Sequence, residues 1–483
     1  MKFSVLSGLS EETPEELNTV EIKGLASNSQ DVSEGYLFFG LPGTNLDGAR
    51  FVSQAAEQGA VAAIVSDDSD VAEVSIPILR SADPRKVLAL ASADFFGKQP
   101  ETVAAVTGTA GKTSIANFLR QIWIAEGKVA GSLGTTGVMA PGMDTYGNLT
   151  TPDPIFLHRV LAELDDAGIT HVAMEASSHG LDQRRLDGVR LSVAGFTNLG
   201  LDHLDYHTDM DDYLRAKLLL FTERLGAGEP AVIFSDDEYS PQVIAATRKA
   251  GRAALTVGRA GDFISLKKVE HQQYGQIVEL SHDNQHYRIE FPLAGDFQIA
   301  NGLVAAGMAI ASGSDAVDVL KALENLQGAS GRLELVAKNQ DGAPAYVDYA
   351  HKPDALEKVL DSLRPFTSNR LIVVFGCGGD RDKSKRPVMG EIASRLADVV
   401  IVTDDNPRTE DPASVRAEIM AACPGAIEVG DRGDAINKAC DMLEVGDCLV
   451  VAGKGHETGQ IVGDKTLPFS DHEVVRNALA GAE

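Results

Sequence analysis

The chain has 483 residues, with 43 Lys and Arg against 70 Asp and Glu, a formal net charge of −27. Its 44% hydrophobic and 23% charged residues are those of a folded globular protein, which excludes disorder and collagen-like repeats; at roughly 150 residues per domain it is too long for one core. So acidic a chain repels nucleic acid and anionic lipid at long range, so neither is an expected partner.

From the start to about Gly97, short apolar runs (Gly35 to Phe39, Ala60 to Val65) alternate with helical patterns such as Phe51 to Gln58, the texture of a small α/β module. The N-terminus turns acidic at Glu11 and Glu12 before a signal-peptide core can develop, which points to a cytoplasmic protein. After Gly97-Lys98-Gln99-Pro100, the β-branched run Thr102 to Thr107 has the pattern of a buried parallel strand. A helix from about Ser114 follows, then strands at Ile169 to Glu175 and Leu191 to Thr197, a helix at Met210 to Phe221 and a strand at Ala231 to Phe234. Strand and helix in alternation predict a parallel sheet covered on both faces.

Between Ile264 and Phe291 the hydrophobic period changes to two, which predicts antiparallel strands. Helices at about Gln298 to Ser312 and Ala316 to Gln327 come next, and Gly328-Ala329-Ser330-Gly331 reads as a linker. The last third alternates again, with strands at Ala345 to Asp348, Leu371 to Phe375, Val399 to Thr403 and Cys448 to Ala452. It is predicted to be a second open sheet, with ligands at the carboxyl ends of its strands. The expected domains are residues 1–98, 99–329 and 330–483. No apolar run approaches the roughly 18–20 residues that cross a bilayer, so membrane association is not expected. Cys377, Cys423, Cys440 and Cys448 form no CxxC pair and read as reduced, mostly buried thiols.

The sharpest motif is Thr107-Gly108-Thr109-Ala110-Gly111-Lys112-Thr113-Ser114, between a buried strand and a helix. Its glycines let backbone N–H groups face a polyphosphate, Lys112 reaches the terminal phosphates, and the Thr113 hydroxyl can ligate Mg²⁺. The common phosphate loop has Gly where this chain has Val106, yet the strand–turn–helix setting is intact. Glu175 ends a strand where a Mg²⁺ ligand would be useful, or pairs with a nearby cation. Ser177 to Leu186 carries two guanidinium groups that can hold a diphosphate or carboxylate, although alone it reads as a solvated loop. Asn198 to His207 puts imidazoles and carboxylates into one turn before a helix bearing Lys217; alone it suggests a metal site, without zinc spacing.

Together these motifs resemble the muramyl peptide ligases of bacterial cell-wall synthesis, whose nucleotide loop reads Thr-Gly-Thr-x-Gly-Lys-Thr, and the likeness covers nearly the whole chain. It implies three α/β domains: a small N-terminal uridine-diphosphate module, a central phosphate-loop parallel sheet with the ATP site, and a C-terminal Rossmann-like open sheet. Members that add meso-diaminopimelate carry Asp-Asn-Pro-Arg where lysine-adding members lack the Arg, and this chain has Asp405-Asn406-Pro407-Arg408. Diaminopimelate differs from lysine by a second carboxylate, which Arg408 can grip bidentately.

The resemblance implies further roles. Arg381, Asn406, Gly453 and Glu457 complete the diaminopimelate pocket, with Glu457 suited to the distal ammonium. Thr150, Thr151, Ser177, Gln183 and Arg185 hold the muramyl dipeptide of UDP-N-acetylmuramoyl-L-alanyl-D-glutamate, and Ser27, Ser29, Thr44 and Asn45 receive its uridine diphosphate. The family often has Asp-Ser-Arg at that early site, whereas this chain has Asn28-Ser29-Gln30. Asn301, Arg332 and Asp348 correspond to adenine, phosphate and ribose contacts. Thr113 and Glu175 serve one Mg²⁺, and His203 with Lys217, carrying a CO₂-derived carbamate, a second. The implied chemistry is ADP-forming: ATP phosphorylates the D-glutamyl γ-carboxylate and an amine attacks the acyl phosphate, in a monomer.

Three rival readings share some of these features. Folylpolyglutamate synthase uses a similar loop, but the N-terminal module and Arg408 disfavour it. A GTP-dependent switch needs Asn-Lys-x-Asp, and the Asn-Lys here is Asn437-Lys438-Ala439-Cys440. A dead scaffold is at odds with the intact Lys112, Glu175, His203 and Lys217.

Overall fold

The computed structural model describes residues 1–6, 15–43, 46–145, 149–272 and 275–480. They form two compact units, one of residues 1–257 with 307–314, the other of residues 258–306 with 315–483. Among the described residues no helix is long and apolar enough to cross a membrane.

The first unit holds a four-stranded parallel sheet and strands of a second, mixed sheet with a parallel centre. Strands Gly24–Ala26, Tyr36–Gly40, Ala62–Ser66 and Ile78–Ser81 pair in that order, all parallel. The helix Pro84–Phe96 follows them, started by Pro84 in its first turn and by the Asp83 carboxylate, which accepts from Lys86 N. In the second sheet Thr102–Thr107 is central, flanked by His171–Glu175 and Val193–Phe196. All six residues of Thr102–Thr107 are buried, as its unbroken apolar pattern requires of a strand covered on both faces.

Register fixes what stands beside the phosphate loop. Val106 lies opposite Glu175 on one side, and Thr107 lies opposite Phe196 on the other. Ala130–Gly134 extends the sheet in parallel, then Gly137–Ala140 and Met143–Thr145 add an antiparallel meander that the sequence did not signal.

The helix Met210–Leu219 begins at Asp209, whose carboxylate accepts from Asp212 N, and it places Tyr213 and Lys217, four residues apart, on one face. The helical path continues through the expected Phe221, but as a π-turn over Leu220–Arg224, closed by Leu225 N donating to Leu220 O (2.9 Å). The wider turn lets Leu220, Phe221 and Leu225 all enter the core.

In the second unit the period-two segment forms the predicted antiparallel strands, Ile264–Gln272, Gly275–His282 and Gln285–Phe291. A six-stranded sheet runs in the order Glu334–Lys338, Pro344–Asp348, Cys448–Ala452, Leu371–Phe375, Val399–Val402, Ile427–Glu428, with the first strand antiparallel and the rest parallel. Alternation along Leu371–Phe375 fills a core on each face: Leu371, Val373 and Phe375 join one, Ile372 and Val374 the other. All four cysteines are free and buried, as expected.

Candidate active site

The phosphate loop turns from the Thr102–Thr107 strand into the helix Lys112–Ala125. Gly111, just before the helix, has φ +89°, and a Cβ on Gly108 would collide with the Thr197 hydroxyl, so both positions require glycine. The neighbouring strand end braces the loop: Thr197 Oγ1 donates to Ala110 O (2.6 Å), Asn198 Oδ1 accepts from Ala110 N (3.0 Å), and Gly200 N donates to Thr109 Oγ1 (2.9 Å). Ser114 is buried in the first helical turn.

Two lysine amines converge here. Lys112 Nζ donates to Gly108 O (2.8 Å) and Thr109 O (3.0 Å), and Lys217 Nζ donates to the same Gly108 O (2.8 Å). The two nitrogens therefore lie no further apart than twice that bond. Lys217 is buried, with its Nζ 4.3 Å from the centroid of the Tyr213 ring, and burial first and Lys112 second hold its pKa well below the ordinary lysine value. Tyr213, its own pKa pushed up to about 12 by burial, keeps its proton and bonds Thr109 Oγ1 (3.2 Å).

Glu175 stands beside the loop, buried, and its Oε1 accepts from Thr113 Oγ1 (3.0 Å) and Thr135 N (2.8 Å). Thr113 and Glu175 thus present adjacent hard oxygen donors, the kind Mg²⁺ takes together with waters and phosphate. Thr135 was not foreseen. Its hydroxyl also bonds Thr150 Oγ1 (2.9 Å), joining the metal-ligand candidate to a dipeptide-site candidate.

The other dipeptide candidates gather at the same strand end. Thr151 Oγ1 donates to Glu175 O (2.9 Å) and accepts from Ser177 N (2.9 Å) and the Ser177 hydroxyl (3.1 Å). Arg185 donates to Thr151 O (2.6 Å) and Gln183 Oε1 (2.7 Å). Ser177 to Leu186 is therefore not the solvated loop it resembles in isolation: it holds the short helix Ser178–Asp182, capped by Ser177 Oγ.

The turn at 198–207 does not close into a metal cage. Among the described residues no three His, Cys, Asp or Glu side chains are grouped to hold an ion. His207 is buried with Nδ1 3.2 Å from Asp212 Oδ2, while His203, at φ +55°, lies 3.8 Å from Asp202 Oδ2. Burial lowers the His203 pKa, which favours the neutral imidazole. In the small N-terminal sheet Ser27 is exposed, while Ser29 is buried and bonds Gln54 Oε1 (2.9 Å). Thr44 and Asn45 lie outside the described residues.

The second unit carries the remaining candidates. Asp348 is buried at the end of its strand and accepts from Leu333 N (2.6 Å) and Ala350 N (2.7 Å); burial pushes its pKa up to about 6. Arg332 lies over the Tyr349 ring at 4.7 Å, and its carbonyl accepts from Gln298 Nε2 (3.2 Å), whose Oε1 accepts in turn from Asn301 (3.2 Å).

The Asp405-Asn406-Pro407-Arg408 segment follows the Val399–Val402 strand. Asp405, Asn406 and Pro407 are buried, and Asp405 Oδ1 accepts from Asn406 N (2.7 Å). Arg408 is half-buried at φ +53°, its N bonded to Ile461 O (3.1 Å) and its O to Gly463 N (2.7 Å). These partners belong to a hairpin, Gly459–Val462 with Lys465–Pro468, that sequence reasoning missed. Arg408 Nη1 donates to Gly379 O (2.8 Å), and Asn406 Nδ2 to Glu457 Oε2 (3.1 Å). Gly453 lies against the Asp405 carboxylate, and Arg381 is exposed, its Cγ near Gly378.

Residues 106–309 match the Mur ligase middle domain, 331–455 the Mur ligase glutamate ligase domain, and 21–106 the catalytic domain of the Mur ligase family. A protein of Brucella melitensis biotype 1 is 60% identical over 480 residues, 99% of this chain and 98% of its own. The chain belongs to the Mur ligase family. The Brucella Mur ligase is a UDP-N-acetylmuramoyl-L-alanyl-D-glutamate–2,6-diaminopimelate ligase, as is one from Rhizobium meliloti, 59% identical over 486 residues with both chains fully covered. A solved structure of a ligase with the same name is 30% identical, with a TM-score of 0.76, covering 100% of this chain and 99% of that one. Folylpolyglutamate synthase of Mycobacterium tuberculosis shares the Mur ligase fold, at TM-score 0.63 and 18% identity over 77% of this chain and 92% of its own.

Proposed function

We propose that this Mur ligase joins meso-2,6-diaminopimelate to UDP-N-acetylmuramoyl-L-alanyl-D-glutamate, forming ADP, in cytoplasmic synthesis of peptidoglycan precursors. The observation that carries the reading is Arg408, whose Nη1 bonds Asn406 O (3.4 Å) while Asn406 Nδ2 bonds Glu457, so that one segment supports a guanidinium and a carboxylate suited to the two charges of an amino-acid terminus. The domain limits proposed with this reading are 98/99 and 329/330, whereas the two compact units divide the chain at other positions.

The reaction joins two anions, so it is limited by repulsion and by competing water, and catalysis is mainly positioning and charge neutralisation. Lys112 and the loop N–H groups hold the ATP phosphates, with Asn301 serving the adenine, Arg332 a phosphate and Asp348 the ribose. Thr151, Ser177, Gln183 and Arg185 orient the dipeptide, with its γ-carboxylate toward the terminal phosphorus, and Thr150 joins them through Thr135. A carboxylate oxygen attacks that phosphorus and ADP leaves. The neutral amine of diaminopimelate then attacks the acyl carbonyl, expelling phosphate and losing a proton as the amide forms. Mg²⁺, which the family's use of ATP implies, supplies charge that screens the phosphate oxygens; Thr113 and Glu175 would hold one ion, His203 and a modified Lys217 a second.

The reading of Lys217 as a carbamate comes from the family resemblance, and its burial, its depressed pKa and its shared acceptor with Lys112 support it. A neutral amine can add to CO₂, and the resulting anion would turn repulsion from Lys112 into attraction. Lys217→Ala is expected to lose most activity and to regain part of it with millimolar short-chain carboxylic acids; unchanged activity in the variant would end this assignment.

The function is tested by ADP release with each substrate omitted in turn. Release should require the muramyl dipeptide nucleotide and diaminopimelate together, and release with L-glutamate and a folate in their place would contradict the proposal.

A further inference from the structure

Lys454, in the turn after the Cys448–Ala452 strand, has an ammonium that belongs to no role assigned so far. It is wholly buried (0% exposed), and its Nζ bonds Asn406 Oδ1 (3.0 Å) and Glu457 Oε2 (3.0 Å). Asn406 Oδ1 also accepts from Ile461 N (2.9 Å), and Asn406 Nδ2 donates to the same Glu457 Oε2 (3.1 Å). Lys454, Asn406 and Glu457 therefore form a closed triangle. With two donors facing one end of the Asn406 amide, that end must be the oxygen, so its NH₂ faces Glu457. Both protein donors to the Glu457 carboxylate reach Oε2, which leaves Oε1 for a ligand ammonium.

The electrostatic consequence concerns selection. A buried ammonium is tolerated only when paired, and here its counter-ion is the carboxylate expected to receive the distal ammonium of the amino acid. Half-neutralised by Lys454, Glu457 holds an ammonium weakly, so an amino acid must also satisfy Arg408 with a carboxylate. We infer that Lys454 is a specificity-determining positioning residue, which fixes Asn406 and tempers Glu457 so that an ammonium alone does not secure the acceptor amino acid. This inference rests on the proposed diaminopimelate reading of the pocket. Without Lys454, the freed negative charge of Glu457 would hold the ammonium of lysine more tightly, while the loosened Asn406 would blunt the grip on diaminopimelate.

The test compares kcat/KM for meso-diaminopimelate and for L-lysine in wild type and Lys454→Met, with KM for ATP and the muramyl dipeptide nucleotide as controls. The preference for diaminopimelate should narrow by about tenfold or more, because its KM rises and that for lysine does not, while the control KM values stay within about threefold. Equal losses for both amino acids, the signature of a merely structural lysine, or an unchanged preference would overturn the inference. Should the Met variant fail to fold, Lys454→Gln keeps a donor without the charge and should narrow the preference in the same way. Lys454→Arg, which keeps the charge, should retain more of it than Gln. Wild type that does not use diaminopimelate at all would instead refute the underlying functional reading.

Discussion

Lys112→Ala is expected to reduce ligation by about 10³-fold or more, because removing a preorganised cation or donor from a site of developing charge typically costs 10²–10³, and more when it also binds the ground state. The side chain is only half-buried and lies curled onto the carbonyls of Gly108 and Thr109, a position from which it can swing to the phosphates. Those carbonyls can turn to water when the lysine is lost, so stability should change by less than about 1 kcal/mol. The loop's shape is set elsewhere, by Gly108, Gly111 and the bonds from Thr197, Asn198 and Gly200. Thermal melting measured beside ADP release separates these effects: a folded, inactive variant is expected, and a folded variant with wild-type turnover would remove Lys112 from the mechanism.

Arg408→Ala should lower kcat/KM for diaminopimelate by about 10²–10³, roughly the 3–4 kcal/mol of a lost bidentate charge-assisted contact. KM for ATP and for the muramyl dipeptide nucleotide should stay within about threefold. The geometry makes this a clean comparison. Arg408 takes its left-handed conformation from backbone bonds to Ile461 and Gly463, and Ala carries a similar conformational penalty there, so the variant reports the guanidinium and not a change of strain. Nη1 is occupied by Gly379 O, which leaves the Nε and Nη2 edge to meet a carboxylate in two parallel bonds. Arg408→Lys keeps a point charge without the fork and should recover only part of the loss. Equal losses for all three substrates would show that Arg408 supports the fold of the segment instead of reading the amino acid.

How far the site was legible depended on how local its physics is. The phosphate loop could be read because a buried strand, a glycine turn and a helix start are consecutive in sequence, and the Val106 departure did not disturb that order. Glu175 was placed by the end of its strand, and parallel register with Val106 brings it to the loop. Lys217 was singled out by resemblance, and what sequence could not supply is its burial and its sharing of Gly108 O with Lys112. Thr135 was missed because it lies at the junction of a meander whose Gly-rich strands carry little periodic signal. Lys454 was passed over because a lysine in a polar turn is ordinarily solvated, whereas here it is buried with its ammonium on Asn406, a partner remote in sequence. What the turn from His203 to His207 could not reveal is that its imidazoles gather around His179 and Tyr213, which lie outside the turn.

The central claim is the choice of amino acid, and competition tests it most directly. Equimolar meso-diaminopimelate and L-lysine, offered together with ATP and UDP-N-acetylmuramoyl-L-alanyl-D-glutamate, give nucleotide tripeptides that differ in mass. The expected result is the diaminopimelate product in excess by about 10³ or more, the discrimination available when a rejected ligand leaves a buried charge unpaired. Comparable amounts of the two products, or lysine in excess, would contradict the account.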